Sequence, residues 1–197
     1  MSVTAWIVLG LVVVVVLWAV SAYNRLVELR NRIANAFGQI DVQLKRRYDL
    51  IPNLVEVARG YLQHEASTLE AVIQARGQAQ GAAAAARVAP TNAGAVGALA
   101  VAEGALGASL GRLMVVSERY PELKADATMQ SLSEELASTE NRVGFARQAF
   151  NDQVLDFNNA AQQFPALIVA RLAGFAPASM LESTRSEEER TAPRVKF

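Results

Sequence analysis

Apolar residues form an almost unbroken run at the start of the chain. From residue 3 to residue 22 only one Thr and one Ser interrupt it, and Arg25 is the first charged residue. A helix needs about 20 predominantly apolar residues to cross the hydrocarbon core of a bilayer. Trp6 and Trp18 lie near the two ends of the run, where indole rings favour the membrane interface. The pattern predicts a transmembrane anchor over residues 1–23.

A cleaved signal peptide is the competing interpretation, because the Val-Ser-Ala sequence at 20–22 offers small residues to a peptidase. Signal peptides, however, begin with a basic segment and have a shorter apolar core, and residues 1–4 contain no basic side chain. Basic residues follow the run instead, at Arg25, Arg30 and Arg32. The positive-inside rule therefore predicts a single-pass plasma-membrane protein with its N-terminus outside and the rest of the chain in the cytoplasm.

After the anchor, apolar residues recur every three or four positions, which is typical of amphipathic helices. Four such stripes run from Leu26 to Tyr48, from Leu54 to Ile73, from Leu99 to Tyr120 and from Met129 to Phe164. No alternating strand pattern occurs beyond the anchor. The sequence predicts an all-α fold, in which the transmembrane helix continues into an antiparallel, up-and-down bundle of about four long helices over residues 24–175.

Two interruptions separate the stripes. Pro52 has no backbone N–H and disfavours helical geometry at the preceding residue, so Asp49 to Pro52 is predicted to be a kink or a helix reversal. A segment rich in Ala, Gly, Pro and Asn predicts a loop at about 88–97. If Pro52 reverses the chain, residues 164–175 return to the membrane; if it only kinks the helix, they point away from it.

The last part of the chain contains two candidate recognition segments. Residues 164–175 are apolar and too short to span a bilayer, so they suit either the membrane interface or a cap on the bundle core. Beyond Met180 the composition turns polar, and residues 176–197 are predicted to form a flexible tail. Its end, with Val195 and Phe197, has an apolar pattern that a partner could capture; a tail without function is the alternative.

Composition argues against several classes of function. Basic and acidic residues balance at 19 each, and no basic stripe interleaved with aromatic residues indicates a nucleic-acid partner. The chain has no cysteine, which excludes disulfides and cysteine metal sites. Its single histidine, His64, starts a His-Glu pair that lacks the second histidine of a zinc-protease motif. We therefore expect no catalytic residues, no metal and no cofactor.

Four polar residues share one face of the last long helix, beside its apolar stripe. They are separated by seven, four and seven positions: Glu140, Arg147, Asn151 and Asn158. We expect a buried row that fixes the register of the bundle or forms a partner site, since buried polar groups persist only when they are satisfied. The expected partners on other helices are residues such as Asn53, Glu65 or Arg76. A solvated edge of little energetic weight is the alternative.

Several stretches of the chain resemble the LemA family of bacterial membrane proteins. The resemblance rests on Val42–Arg47, Asp49–Val55, Gly60–Tyr61 with His64–Glu65, Tyr120–Ala125, Thr139–Arg142 with Arg147 and Asn151, Phe157–Asn158, Phe164–Pro165 and Gly174–Phe175. It implies an N-terminal single-span anchor and a long helical bundle, which agrees with the plasma (inner) membrane predicted above. It does not imply a biochemical activity.

Together these patterns favour a membrane-anchored helical scaffold or adaptor without catalysis. We expect it to self-associate as a homo-oligomer or to bind a membrane protein partner. The alternative is a lipid-binding or membrane-remodelling module that uses the basic residues after the anchor and residues 164–175. A second basic cluster, Lys45 to Arg47, lies roughly 30 Å further along the helix, which points to a protein partner or to salt bridges within the bundle.

Overall fold

The computed structural model describes residues 2–182 of the chain. These residues contain six helices and no strand. In chain order they are α1 (Val3–Tyr61), α2 (Ala66–Val88), α3 (Ala93–Ser117), α4 (Pro121–Ala125), α5 (Ala127–Gln162) and α6 (Ala166–Leu172). The predicted all-α fold is confirmed. Val195 and Phe197, the candidate recognition residues of the tail, lie outside the described residues.

Helix α1 joins the apolar run to the bundle without a break. Its most apolar 18-residue window has a mean hydropathy of 2.8, and none of that window is buried inside the protein. The first buried residues follow directly, at Leu26, Leu29, Ile33 and Phe37, with steps of three and four. One helix thus contains both a candidate membrane span, consistent with an anchor, and a stripe that packs into the core.

The helix reversal predicted at Asp49 and Pro52 was wrong, because α1 continues through Pro52 to Tyr61. Proline lacks the N–H that would bond to the carbonyl four residues earlier, which here belongs to Tyr48. The Nε atom of Arg76, on α2, donates to that carbonyl at 2.6 Å. A neighbouring helix therefore supplies the missing donor, and the chain reverses ten residues later, at 62–65.

The next reversal, between α2 and α3, is shorter than the predicted loop at 88–97. Only residues 89–92 separate the two helices. The side chain of Asn92 accepts a hydrogen bond from the backbone N–H of Ala95 and so caps the first turn of α3. This cap starts the helix several residues earlier than its apolar stripe does.

Helix α3 is also long and apolar enough to span a membrane, with a mean hydropathy of 1.5 over its most apolar window. A third of that window is buried inside the protein, however, and Leu99, Leu106 and Leu113 are fully buried in the bundle core. We therefore describe α3 as a bundle helix.

The long helices pack in a defined order that leaves one side open. Helix α5 lies along α1, α2 packs on the other side of α1, and α3 packs mainly on α2. Helices α3 and α5 do not pack closely against each other. A cleft therefore lies between them, with α1 as its floor.

Helix α5 brings the chain back to the residues that follow the apolar run. The rings of Phe37 and Phe150 lie 5.8 Å apart, and further along the pair of helices Phe175 lies 6.2 Å from Phe157 and 5.7 Å from Tyr23. The chain therefore returns to the end of the candidate span even though Pro52 does not reverse it. The reversal that makes this possible is the one at 62–65.

The tail predicted over 176–197 begins too early. Ala178 and Leu181 are buried, and both backbone groups of each are hydrogen-bonded to side chains of α5. The prediction was wrong for residues 176–182, because the sequence of this segment does not reveal the two asparagine side chains of α5 that bind it.

Candidate functional site: a charged cleft between α3 and α5

The gap between α3 and α5 forms a cavity of about 460 Å³. Ile40 and Leu44 of α1 form its apolar floor, and Val101 of α3 and Val143 of α5 line its sides. Leu181 of the C-terminal segment lines it as well. The cleft is therefore apolar only in part. The rest of its lining is charged, and three of the charged side chains, Arg47, Glu103 and Glu140, form one group.

Arg47 is the centre of this charged group and is only 6% exposed. Its Nη1 atom donates to Oε2 of Glu103 on α3 at 2.8 Å and lies 2.8 Å from Oε2 of Glu140 on α5. The adjacent Tyr48 donates its hydroxyl to the other oxygen of Glu103. Arg47 thus connects two helices that do not pack closely along their length, and the fold satisfies its buried charge on both sides.

Burial controls the protonation of the group. Removal from water raises the pKa of the Glu103 carboxyl above its ordinary value, and the nearby Arg47 guanidinium only partly opposes the change. Burial and the neighbouring Glu103 carboxylate also raise the pKa of Tyr48 far above its ordinary range. The phenol therefore stays protonated and remains a hydrogen-bond donor at any physiological pH.

The four residues of the predicted polar row lie in two different surroundings, two at the cleft and two at the C-terminal segment. Glu140 and Arg147 line the cleft, and Glu140 is half-exposed while it pairs with Arg47. Asn151 and Asn158 lie further along α5 and bind the C-terminal segment. The prediction that Asn53, Glu65 or Arg76 would pair with the row was wrong as far as residues 2–182 are concerned, because the row meets Arg47 and backbone groups instead.

Asn158 and Asn151 each hold one residue of the C-terminal segment with two hydrogen bonds. Asn158 donates to the carbonyl of Ala178 and accepts from its N–H, both at 2.9 Å. Asn151 makes the same pair of bonds with Leu181, at 3.2 and 2.8 Å. Seven helical residues rise about 10.5 Å, and three extended residues span about 10 Å. The spacing of the two asparagines therefore matches an extended segment that runs antiparallel to α5 and into the cleft.

The tryptophans of the apolar run and the arginines that follow it all lie on α1. Trp6 and Trp18 are exposed on the two ends of the apolar run. In the turns that follow, Glu28 pairs with Arg25 at 3.0 Å and with Arg32 at 2.6 Å. These two arginines lower the pKa of Glu28. Arg30 lies between them on α1 and is exposed.

The second basic cluster forms salt bridges inside the bundle, one of the two outcomes expected for it. Arg46 pairs with Glu135 of α5 at 2.6 Å, beside the buried Arg47 pairs. His64 lies exposed in the reversal between α1 and α2. Among residues 2–182 no three His, Cys, Asp or Glu side chains are grouped so that they could hold a metal ion.

The model of the LemA family matches residues 36–197 of the chain, which is most of its length. The chain belongs to the LemA family. The match includes the cleft, the asparagine pair and the segment that they hold, so the site lies within the part of the chain that is characteristic of LemA proteins.

This LemA-family chain is similar to three magnetosome proteins. It is 34% identical over 82 residues to the magnetosome protein MamQ of Magnetospirillum gryphiswaldense, a stretch that covers 42% of this chain and 30% of the relative. It is 32% identical over 78 residues to MamQ 1 and to MamQ 2 of Paramagnetospirillum magneticum, covering 40% of this chain and 29% of each relative. The matched stretch is under a third of the length of these relatives.

Sequence reasoning did not identify Glu103 in this LemA-family site. Glu103 and Arg112 are the only charged residues in the 25 positions of α3, and a single carboxylate in an apolar helix usually requires a buried partner. The isolation of Glu103 among apolar residues was therefore a signal that could have identified it as part of the site. Arg76 carried no comparable signal, because its role depends on the carbonyl that Pro52 leaves free on another helix.

Proposed function

We propose that the protein is a membrane-anchored helical scaffold without catalysis, which gathers protein partners or further copies of itself at the membrane. The observation that carries the proposal is the continuity of α1 from the apolar run into the bundle core. At 1.5 Å per residue, the 59 residues of α1 extend about 90 Å. A bundle built on such a helix moves with its anchor as one body, which suits a platform that holds partners at a fixed place.

We place this platform on the cytoplasmic face of the inner membrane, with the N-terminus outside. Arg25, Arg30 and Arg32 support this orientation, because basic residues next to a span favour the cytoplasmic side. The placement also accords with the membership of the chain in a family of membrane proteins.

The chemistry of the cleft supports binding over catalysis. Arg47 is already paired with Glu103 and Glu140, so these groups stabilise the fold and are not free to move protons to and from a substrate. The exposed apolar side chains at the edge of the cleft and on the outer surface of the bundle are better suited to contact with another protein than to catalysis. Val101 at the cleft and Phe145 on the outer side of α5 are both large, apolar and exposed, so they are the positions at which a contact with a partner can be tested.

Site-specific photo-crosslinking in native membranes tests the proposal. A photoreactive amino acid replaces Val101 or Phe145 in the full-length chain, and Gln78, an exposed polar residue of α2, serves as the matched control. We expect discrete crosslinked products from Val101 or Phe145, either a dimer of this chain or an adduct with one other membrane-associated protein, and much less product from Gln78. Equal, diffuse crosslinking at all three positions would contradict a scaffold with a defined contact surface.

A further inference from the structure

Among residues 2–182, one end of the bundle approaches the candidate span, and the short helix α6 lies there. The turn between α2 and α3 lies far from the candidate span. Its position is shown by Arg87, at the end of α2, which pairs with Asp41 at 3.2 Å. Asp41 lies eighteen residues after Tyr23, or about 27 Å along the helix. Helix α5, in contrast, continues back to the first residues after the span and delivers α6 beside them.

Helix α6 packs one face on the bundle and leaves the other uncovered. Ala170 is buried against the core. Ile168 and Leu172, one helical turn apart, are exposed, and Leu172 is 85% exposed. Phe164, just before the helix, is 82% exposed. We call these three residues the α6 stripe. Side chains four positions apart lie on the same side of a helix, so Ile168 and Leu172 share one exposed face of α6, and Phe164 adds an exposed apolar ring directly before the helix.

We infer that the α6 stripe inserts into the interfacial region of the bilayer and forms a second membrane contact beside the anchor. The position of Phe175 carries this inference, since its ring lies 5.7 Å from that of Tyr23. Tyr23 directly follows the apolar run, where tyrosine and tryptophan rings of membrane proteins lie at the level of the headgroups. A segment in ring contact with Tyr23 is therefore held at the same depth.

A lipid surface is the occupant that fits the surroundings of the stripe. A short helix with apolar residues on one side and a basic residue at its edge is suited to lying in the interface plane. Arg171 lies on α6 itself, and Arg25 lies two residues beyond Tyr23 on α1. Both guanidinium groups are then within about a Debye length, roughly 8 Å, of anionic headgroups.

Two contacts would fix the orientation of the bundle on the membrane. A bundle held only by α1 is free to tilt relative to the membrane plane. Because α6 lies to one side of α1, its insertion restricts this tilt and so sets the height and angle of the cleft above the membrane. The inference rests on the proposed membrane anchorage, because α6 reaches a bilayer only if α1 spans one.

The absence of cysteine makes the full-length protein suitable for single-site labelling. Three variants, Leu172→Cys, Val88→Cys and Val12→Cys, are each labelled with the fluorophore NBD and reconstituted into vesicles of phosphatidylethanolamine and phosphatidylglycerol. Lipids carrying a nitroxide near the headgroup or deep in the acyl chain serve as quenchers. Val88 is exposed like Leu172 but lies at the distant turn, and Val12 lies in the apolar run.

We expect shallow quenchers to reduce the fluorescence at position 172 severalfold more than at position 88, while deep quenchers reduce it at position 12. Quenching at position 12 with no excess at 172 overturns the second contact and leaves the anchor intact. A blue shift at 172 without lipid quenching also overturns it, because a protein partner or a second copy then covers the stripe. No quenching at position 12 overturns the anchorage and the inference together.

Discussion

The Nε atom of Arg76 donates a hydrogen bond of 2.6 Å to the backbone carbonyl of Tyr48. This carbonyl would bond to the N–H of residue 52 in an ordinary helix, but residue 52 is proline. A buried acceptor without a donor is costly. The bond between two helices therefore explains how α1 passes through Pro52 and why the first reversal occurs only at 62–65.

Replacing Arg76 with Ala should destabilise the protein by about 1–3 kcal/mol, because it leaves the Tyr48 carbonyl without a donor. The same substitution should cost less in a Pro52→Ala background, where the backbone N–H of residue 52 supplies the bond. Chemical unfolding of the two single variants and the double variant in detergent micelles gives the coupling between the sites. An Arg76→Ala cost that is identical in both backgrounds would show that Arg76 does not compensate for the proline.

The asparagine pair should protect two specific backbone amides from hydrogen exchange. Asn151→Ala should increase exchange at Leu181, and Asn158→Ala should increase it at Ala178, because each substitution removes two hydrogen bonds. At about 0.5–1.5 kcal/mol for each bond, the increase should be on the order of tenfold or more. Asn159→Ala, at the exposed neighbouring position, is the matched control and should leave both amides unchanged. Protection that survives in either variant would mean that other contacts hold the segment.

Two adjacent arginines should differ sharply in their contribution to stability. Arg47→Met leaves the largely buried Glu103 without its cation, and because breaking a fully buried pair in this way typically costs about 3–5 kcal/mol, we expect a loss of about 3 kcal/mol. Arg46 makes one exposed pair with Glu135, so Arg46→Met should cost at most about 1 kcal/mol. Methionine retains much of the apolar stem in both variants. Equal losses in urea unfolding would contradict the central role assigned to Arg47 in the cleft.

The raised pKa of Glu103 predicts a pH dependence of stability with a definite sign. Below the ordinary value of 4.5 the carboxyl is protonated in both states, and its contribution to folding is fully present. As the pH rises from 4.5 through the higher pKa of the folded state, that contribution is lost. Relative to Glu103→Gln, which does not titrate, the native protein should therefore lose stability over this range, by roughly 1.4 kcal/mol for each unit of pKa difference. If the free energy of unfolding of the native protein, minus that of Glu103→Gln, stays constant or increases as the pH rises, the assignment is contradicted.

The apolar periodicity predicted a helical bundle but not where its helices begin and end. The stripe from Leu54 to Ile73, expected to form one helix, is divided between α1 and α2, and the short helices α4 and α6 were not predicted. Leu26, Ile33 and Phe37 were expected on the buried stripe of a helix continuous with the anchor, and they lie there. The effect of Pro52 could not be predicted, because it depends on an arginine of another helix. Local residue preferences therefore overestimated the tendency of the chain to turn at this position.

The candidate site was predictable only in part. The spacing of Glu140, Arg147, Asn151 and Asn158 placed them on one face, as in the structure, but not their partners. Asn151 and Asn158 bind backbone groups of an extended segment, and backbone groups leave no trace in a side-chain pattern. Arg47 was recognised as one of the three basic residues from Lys45 to Arg47. Its burial between α3 and α5 depends on how the helices pack, which the sequence pattern does not reveal.

The mass of the particles that contain this chain in native membranes tests the central claim most directly. The membrane is extracted with a styrene–maleic acid copolymer, which keeps the lipids around the protein, and the protein content of each particle is determined by mass spectrometry. A scaffold predicts particles with two or more copies of the 21.2 kDa chain, or one copy together with a defined partner. Particles that contain a single copy and no other protein, across the range of native expression levels, would contradict it.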